Sequence, residues 1–395
     1  MNAEKLPQKY RWIILGLCVT CFLCTFITRF TWPPLISVVA PILGINMAQA
    51  GAYMSAFYVG YVLTQIPAGI LADRLGVRII LSTSLIIEGV STAAFSLIPD
   101  YQTGFLLRIL AGLGAGAVFS SCSRALVEWF PEKERGMAFG FLFAAPSGGI
   151  ILSNFLAPTL NQLVGWQGAF QSVGLLTIIG GVLIALFMRS NVDPLHSKDS
   201  LLTGFRVIFG NKYLMLTACA GFFLMWLQLG MATWANAYIK SIGYTVSQAG
   251  TVMMWYGFGG VLSPLISGFI SYYIGRRKWI IILAFVLTIP ITVAFGYQTS
   301  LLMLTGLAFT GGFCSYLANP QLTTLISEYA GGQWAATANG VSNFIFQLAS
   351  LISPLVVGGI IDWTGHFEFV WWILATGPII GTVFIIGIKE TAMSQ

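Results

Sequence analysis

Tyr61-Val-Leu-Thr-Gln65-Ile-Pro67-Ala-Gly69-Ile-Leu-Ala-Asp73-Arg74-Leu-Gly76-Val-Arg78 is the stretch that decides how this chain is read. An apolar helix runs through Pro67 and stops in a compact charged turn. Gly69 lets another helix approach closely, Asp73 can cap a helix start or pair with an arginine, and Gly76 permits the tight turn. Arg74 and Arg78 then hold this turn on one side of a membrane. A degenerate copy follows as Gly268-Phe-Ile-Ser-Tyr-Tyr-Ile-Gly275-Arg276-Arg277-Lys278. Gly69 and Gly268 lie 199 positions apart, half of the 395-residue chain, so two related halves of six helices each are expected.

Composition agrees with a chain that uses lipid as solvent. Hydrophobic residues make up 57% and charged residues 8%, against roughly a quarter charged in soluble domains. In lipid every backbone polar group must be satisfied internally, by helices or a closed barrel. The apolar runs are long and lack period-2 alternation, which selects helices. The net charge of +6 belongs to loop lysines and arginines that orient the chain in a bilayer, not to a nucleic-acid surface. Cys18, Cys21 and Cys24 sit inside an apolar helix with no further clustered ligands, which reads as small-residue packing. His196 and His366 fall in expected loops without the partners a metal site needs. No phosphate-cradling loop, dinucleotide fingerprint, nucleophile elbow or zinc pattern is present, so no enzyme class and no cofactor is indicated.

Twelve spans are expected: about 11–40, 49–72, 79–98, 104–129, 137–160 and 169–188, then 213–239, 248–274, 279–297, 301–328, 337–361 and 367–388. Residues 1–190 form a first six-helix bundle, 191–212 a polar linker and 213–395 a second bundle. The run after Lys5, Lys9 and Arg11 is too long for a signal peptide and reads as the first span. With the N-terminus inside, fifteen of the 19 basic residues fall at cytoplasmic ends and only Lys240 in an outside loop, which sets both termini in the cytoplasm.

Ionisable residues inside the spans are the candidates for function, because a charge at bilayer depth is costly. Arg29 lies midway along span 1. It is either a structural arginine on helix carbonyls or an anion ligand, since guanidinium grips a carboxylate bidentately. Arg108 stands near the outer end of span 4, from which it can snorkel. Arg124, near the inner end, is spaced to pair with Glu128. Glu88, midway along span 3, is a proton-coupling candidate, a neutral acid bonded to a neighbour, or a partner for an arginine. The second half carries no acid or base at mid-span. It offers Gln228, Asn236, Asn319, Gln321, Asn339, Asn343 and Gln347, three of them spaced along one face of span 11. The 199-residue offset sets Gln228 opposite Arg29. Tyr61 lies several turns above the inner end of span 2, and Gln65 one turn below it.

The turn at Gly69–Arg78, with its chain position and its copy, resembles the signature loop of the major facilitator superfamily of transporters. Ser55–Gly69, Arg108-Ile-Leu-Ala-Gly112, Glu128–Gly136, Gly340-Val-Ser-Asn343-Phe, Ser353-Pro354 and Asp362-Trp-Thr-Gly365 are similar to blocks of its anion:cation symporter family. The resemblance implies the major facilitator fold and an anion clamp. The family's arginines of spans 1 and 4 match Arg29 and Arg108, its tyrosine and glutamine of span 2 match Tyr61 and Gln65, and its asparagine of span 11 matches Asn343. Gly69, Asp73, Arg74, Gly76, Arg78 and Arg277 then form the conformational gate. Proton-coupled members resembling this chain often carry an acid where Thr28 stands and a glutamate where Ala115 stands. Here either Glu88 takes over, or one anion is exchanged for another, or a different ion is used.

The expectation is a secondary transporter of a small organic anion, most simply a carboxylate, by symport with a cation or by anion exchange. It would be a monomer in a plasma or bacterial inner membrane. The alternative is a proton-coupled drug exporter relying on Glu88. A third class is a non-transporting substrate sensor, for which the short tails leave no signalling domain.

Overall fold

A computed structural model describes residues 9–189, 209–331 and 334–389. Lys5, Lys198, Arg206 and His196 lie outside the described residues. Helices account for nearly all of them: α1 (Tyr10–Phe30), α2 (Trp32–Leu43), α3 (Met47–Leu75), α4 (Val77–Ala94), α5 (Tyr101–Ala115), α6 (Val118–Trp129) and α7 (Glu132–Phe187), then α8 (Lys212–Ser241), α9 (Val246–Ile274), α10 (Arg277–Tyr297), α11 (Leu301–Leu317), α12 (Asn319–Ala330), α13 (Ala335–Thr364) and α14 (Glu368–Ile386). Ten stretches are long and apolar enough to cross a membrane. One of these, Lys133–Phe187, is two rods joined at Gly165, whose φ of +74° turns the chain back. Adding the 29-residue α3 gives the twelve rods of an all-helical membrane protein.

Where the rods differ from expectation, proline or glycine is the cause. Span 1 is two helices broken at Thr31, because Pro33 and Pro34 donate no hydrogen bond to the turn before them. Span 10 breaks at Ala318 ahead of Pro320. Span 4 breaks after Gly116. The apolar exteriors are those of a protein solvated by lipid: Leu63, Leu186, Leu302 and Val383 are each more than 60% exposed.

The two halves repeat each other in detail. α3 starts with a capping box of Asn46 and Gln49, and α9 starts with one of Thr245 and Gln248, again 199 positions on. Gly76 and Gly275 both close their helices at positive φ. Close glycine packing builds each bundle. A Cβ on Gly112 would lie 1.9 Å from the Phe57 carbonyl oxygen, and one on Gly312 would lie 2.1 Å from that of Tyr256.

The bundle has two unlike ends. Arg11–Glu134, Arg78–Ala185, Trp129–Arg189, Arg277–Glu328 and Lys278–Ile388 contacts gather the basic loops at one of them. At the other, the halves are joined. Asp362 on α13 accepts from the Met47 and Ala48 amides at 2.9 and 2.7 Å, which caps α3 across the interface. Gln162 donates to Ser247 and Asn236 to Asn154. Gly51 packs on the Pro354 carbonyl, Gly358 on that of Met47 and Gly250 on that of Asn154. One large apolar core runs through both halves here, holding Trp32, Phe57, Trp234 and Trp371. Toward the basic end the core divides into separate clusters, one around Leu81 and Leu126 and others around Phe285 and Ile326. Gly136, Gly140, Gly268 and Gly340 there meet nothing within 4 Å of a built Cβ. A recess of about 460 Å³ opens beside Leu265, Phe269 and Tyr273. Among the described residues, the contacts that join the two halves lie at the end away from the basic loops.

Two outcomes follow from this packing. Gly112→Ala is expected to lower the melting temperature in detergent by several degrees, since overpacking costs roughly 1–3 kcal/mol. Gly140→Ala, with open space around it, should leave it unchanged or raise it by the ~0.5–1 kcal/mol that alanine gains in a helix. Equal effects would contradict the packing described. Asp362→Ala should speed amide hydrogen exchange at Met47 and Ala48 while Gln49, held by Asn46 at 2.8 Å, stays protected; unchanged exchange at 47 and 48 would refute the cross-interface cap.

Candidate functional site

The site begins with a missing hydrogen bond. In a continuous helix the Arg29 carbonyl would accept from the amide of residue 33, but that residue is proline and has no N–H. Arg108 on α5 replaces it. Its Nη2 donates to the Arg29 carbonyl at 3.3 Å and its Nε to the Tyr53 carbonyl at 3.2 Å, with Met54 Sδ at 3.7 Å. The Arg108 guanidinium also lies 5.1 Å from the Phe57 ring. Arg108 is 2% exposed. It does not snorkel outward as its depth suggested; its donors are drawn inward by carbonyls of α1 and α3, and it acts as a strut.

Arg29, fixed by that strut, carries its own guanidinium into an aromatic cage. The charge lies 4.4 Å from the Phe26 ring centre, 4.7 Å from Tyr61, 5.0 Å from Phe57 and 5.2 Å from Tyr58. Rings stabilise the cation through their faces but accept no hydrogen bonds in its plane. Nε and Nη2 of Arg29 are buried without a hydrogen-bond partner. These two donors lie along one edge of the guanidinium, the edge that matches both oxygens of a carboxylate or sulfonate. Tyr61, whose ring lies against the Arg29 guanidinium, also neighbours Asn343 of α13. Gln65 is half-buried, with Oε1 unpartnered. Arg29, Tyr61 and Asn343 therefore come together between the halves, with Gln65 one turn along α3 from Tyr61. The cage is closed around Arg29, which is 2% exposed. A cavity of about 10 Å³ beside Met231, Tyr256 and Ser315 has room for no more than a water.

Glu88 is fully buried on α4 and faces α1. Thr25 Oγ1 lies 3.0 Å from Glu88 Oε2, and Thr28 Oγ1 bonds to Oε1. Ala115, where a glutamate was absent, is simply buried. The neighbouring Gly114 lets α5 press against the Ser84 carbonyl and the Glu88 backbone.

Gln228 departs from the expected arrangement. Its Nε2 donates to the Ser315 carbonyl at 3.0 Å and to Asn319 Oδ1 at 3.4 Å, bracing α8 against the break between α11 and α12. The 199-residue offset aligns backbones, but this side chain is already bonded within its own half. Other amides are likewise interhelical ties: Asn339 to Ser327, Gln321 to Ser267 and Asn236 to Asn154.

At the basic end, Gly76 caps α3 on the Ala72 carbonyl and Arg78 Nε donates to the Ala185 carbonyl at 2.7 Å. Arg277 bonds Glu328 at 2.6 Å and Ser271 at 3.1 Å, tying α10 to α12 and α9. Gly69, Asp73 and Arg74 belong to the last turns of α3; the side chains of Asp73 and Arg74 and the surroundings of Gly69 lie outside the described residues. Cys18 and Cys122 approach each other's carbonyls at 4.0 and 3.6 Å, packing α1 on α6. Sequence reasoning missed the cage of Phe26, Phe57 and Tyr58 and the threonine partners of Glu88. The helical spacing of Phe26 to Arg29 and of Phe57 to Tyr61 was the available signal for the first.

The sequence pattern of the Major Facilitator Superfamily matches residues 17–255 and 231–394. A probable sulfoacetate transporter of Cupriavidus necator is 27% identical over 411 residues, covering 94% of this chain and 92% of that one. A probable L-galactonate transporter of Escherichia coli is 24% identical over 366 residues, covering 82% and 78%. A bacterial homologue of the human lysosomal transporter Spinster, solved inward-facing and occupied, superposes with a TM-score of 0.81 at 16% identity, over 95% of this chain and 96% of its own. The chain belongs to the Major Facilitator Superfamily and is a multi-pass membrane transporter, not an enzyme.

Proposed function

We propose that this protein carries a small organic anion, a carboxylate or sulfonate, by alternating access between its two halves. The observation that carries the proposal is the buried Arg29 guanidinium whose Nε and Nη2 donors have no protein acceptor. Unmade bonds on a buried charge cost a few kcal/mol, and an anion entering the cage would recover them. The rings can stay stacked on the guanidinium while its edge bonds the anion, because the two interactions use different directions. Relatives named for sulfoacetate and L-galactonate transport support a small solute that carries a carboxylate, with or without a sulfonate.

The mechanism follows from where the ligands reside. Arg29, Tyr61 and Gln65 belong to residues 1–190 and Asn343 to residues 213–395, with 191–212 as the linker between bundles. An anion on Arg29 that also engages Asn343 bridges the bundles and favours states in which they close on it. The basic end is assigned to the cytoplasm, with both termini, in a plasma or bacterial inner membrane. The end joined by Asp362 and the glycine contacts then faces outward and forms the outer closure. Arg108 maintains the backbone that presents Arg29. A cationic drug would meet two buried guanidiniums, Arg29 and Arg108, against the single carboxyl of Glu88, and this balance of charge disfavours the exporter reading.

Thermal stabilisation of the purified protein tests this with sulfoacetate, L-galactonate, benzoate and a lipophilic cation as probes. A ligand at a hundred times its dissociation constant adds about 2.7 kcal/mol. At least one anion is expected to stabilise the wild type and not Arg29→Gln. Arg29→Lys should bind it roughly ten- to a hundredfold more weakly, because an ammonium cannot present the forked edge. Arg108→Gln should lower the melting temperature of the unliganded protein by several degrees, whereas Arg29→Gln lowers it little or raises it. Stabilisation by the cation alone, indifferent to Arg29, would overturn the anion proposal.

A further inference from the structure

We infer that Glu88, bridged by Thr25 and Thr28 to the helix that carries Arg29, is the proton-coupling group of this transporter, so that anion and proton load together. The inference rests on the anion proposal for Arg29 and adds what the anion moves with.

Each threonine hydroxyl stands between two acceptors. Thr25 Oγ1 lies 3.0 Å from Glu88 Oε2 and 3.3 Å from the Cys21 carbonyl. Thr28 Oγ1 bonds Glu88 Oε1 and lies 2.9 Å from the Thr25 carbonyl. A hydroxyl has one hydrogen to give and can also accept. With Glu88 ionised, both hydroxyls donate to the carboxylate. When a hydronium ion gives its proton to Oε1, an O–H bond forms there and water is left. That O–H donates to Thr28 Oγ1, and the Thr28 hydrogen turns to the Thr25 carbonyl. The contact survives with donor and acceptor exchanged, so both charge states are satisfied in one geometry. Fully buried acids are rarely accommodated in both forms, because each form needs different partners.

The charged and titratable groups around Glu88 are few. From α1 come Arg29 and the thiols Cys21 and Cys24, and from α5 comes Arg108. The second rod of α7, which packs on the Gly89 face of α4, contains no ionisable residue between Trp166 and Phe187. Among the described residues, Glu88 is thus the one acid set against these two arginines. Ionised, it weakens the pull of Arg29 on an anion; protonated, it restores it. Linkage makes the effect reciprocal: a bound anion draws a proton onto Glu88 to the same degree. This carboxyl reaches position 28 from the side, from α4, instead of along α1.

The test uses the full-length protein and whichever of sulfoacetate, L-galactonate or benzoate binds, followed from about pH 5 to about pH 8. Wild-type affinity should weaken as pH rises, approaching about tenfold per unit for one linked proton. In weakly buffered solution, adding the anion should take up protons, seen with a pH indicator. Glu88→Gln should bind with an affinity that no longer varies with pH and take up none. Thr28→Val, which keeps the acid but removes the exchangeable partner, should move the pH midpoint, and serves if Glu88→Gln does not fold. Arg29-dependent binding without pH dependence in the wild type would overturn the coupling and leave the anion proposal standing. PH dependence and proton uptake retained in Glu88→Gln would overturn the assignment to Glu88. Absence of any Arg29-dependent anion binding would overturn both.

Discussion

Everything about the centre of this molecule depends on one hydrogen bond, from the Arg108 guanidinium to the main-chain carbonyl of Arg29. Pro33 breaks the helix and orphans that carbonyl in a medium where water cannot repair it. A neutral side chain could have filled the gap, but arginine also spans to the Tyr53 carbonyl and so ties α1, α3 and α5 at one point. Arg29 is thereby held at the end of a straight helix, just before the bend. Its charge must then be met by rings on its faces, leaving the edge donors free. The two arginines differ in what their donors reach: Nε and Nη2 of Arg108 meet carbonyls, and Nε and Nη2 of Arg29 meet no hydrogen-bond acceptor.

Polar groups elsewhere obey the same economy of lipid. Amides in the second half are used on neighbouring helices, as Gln228 is on Ser315 and Asn339 is on Ser327. Hydroxyls turn back on their own helix carbonyls, as Thr177 and Thr288 do. Against that background, the groups between the halves that remain incompletely bonded are informative. Arg29 leaves two buried donors unmet, whereas Gln65, Asn236 and Gln321 each leave one acceptor unmet.

The architecture was legible because it is written in local rules. The repeated turn, the capping residues and the apolar run lengths each declare a helix end or a helix body without knowledge of a partner. Arg29 was legible because a mid-membrane charge is conspicuous. Arg108 was placed correctly along its helix but given the wrong partner, since nothing in its own neighbourhood shows that Pro33 has left a carbonyl vacant on another helix. Glu88 posed the same difficulty: its threonines are some sixty positions away, and only the register of α4 on α1 brings them together. Gln228 differs in another way, since its side chain is bonded within its own half. Internal symmetry relates backbones, and side chains at equivalent positions have since taken different partners. The side chains of Asp73 and Arg74, central to the expected gate, lie outside the described residues.

All three deep charges, Arg29, Glu88 and Arg108, belong to the first half, while the facing wall of the second half is neutral among the described residues. The consequence is electrical. Moving one elementary charge through the membrane potential is worth about 2.3 kcal/mol per 100 mV, so the charge on the first bundle governs how voltage acts on the cycle. Empty, with Glu88 ionised, that trio sums to one positive charge. Loaded with a monoanion and a proton, it sums to one positive charge again. A carrier that loads a monoanion together with a proton on Glu88 would cross with the same charge in both directions and run on the chemical gradients of its solute and of acid, whereas a dianion would make the loaded crossing neutral and bring voltage into the cycle.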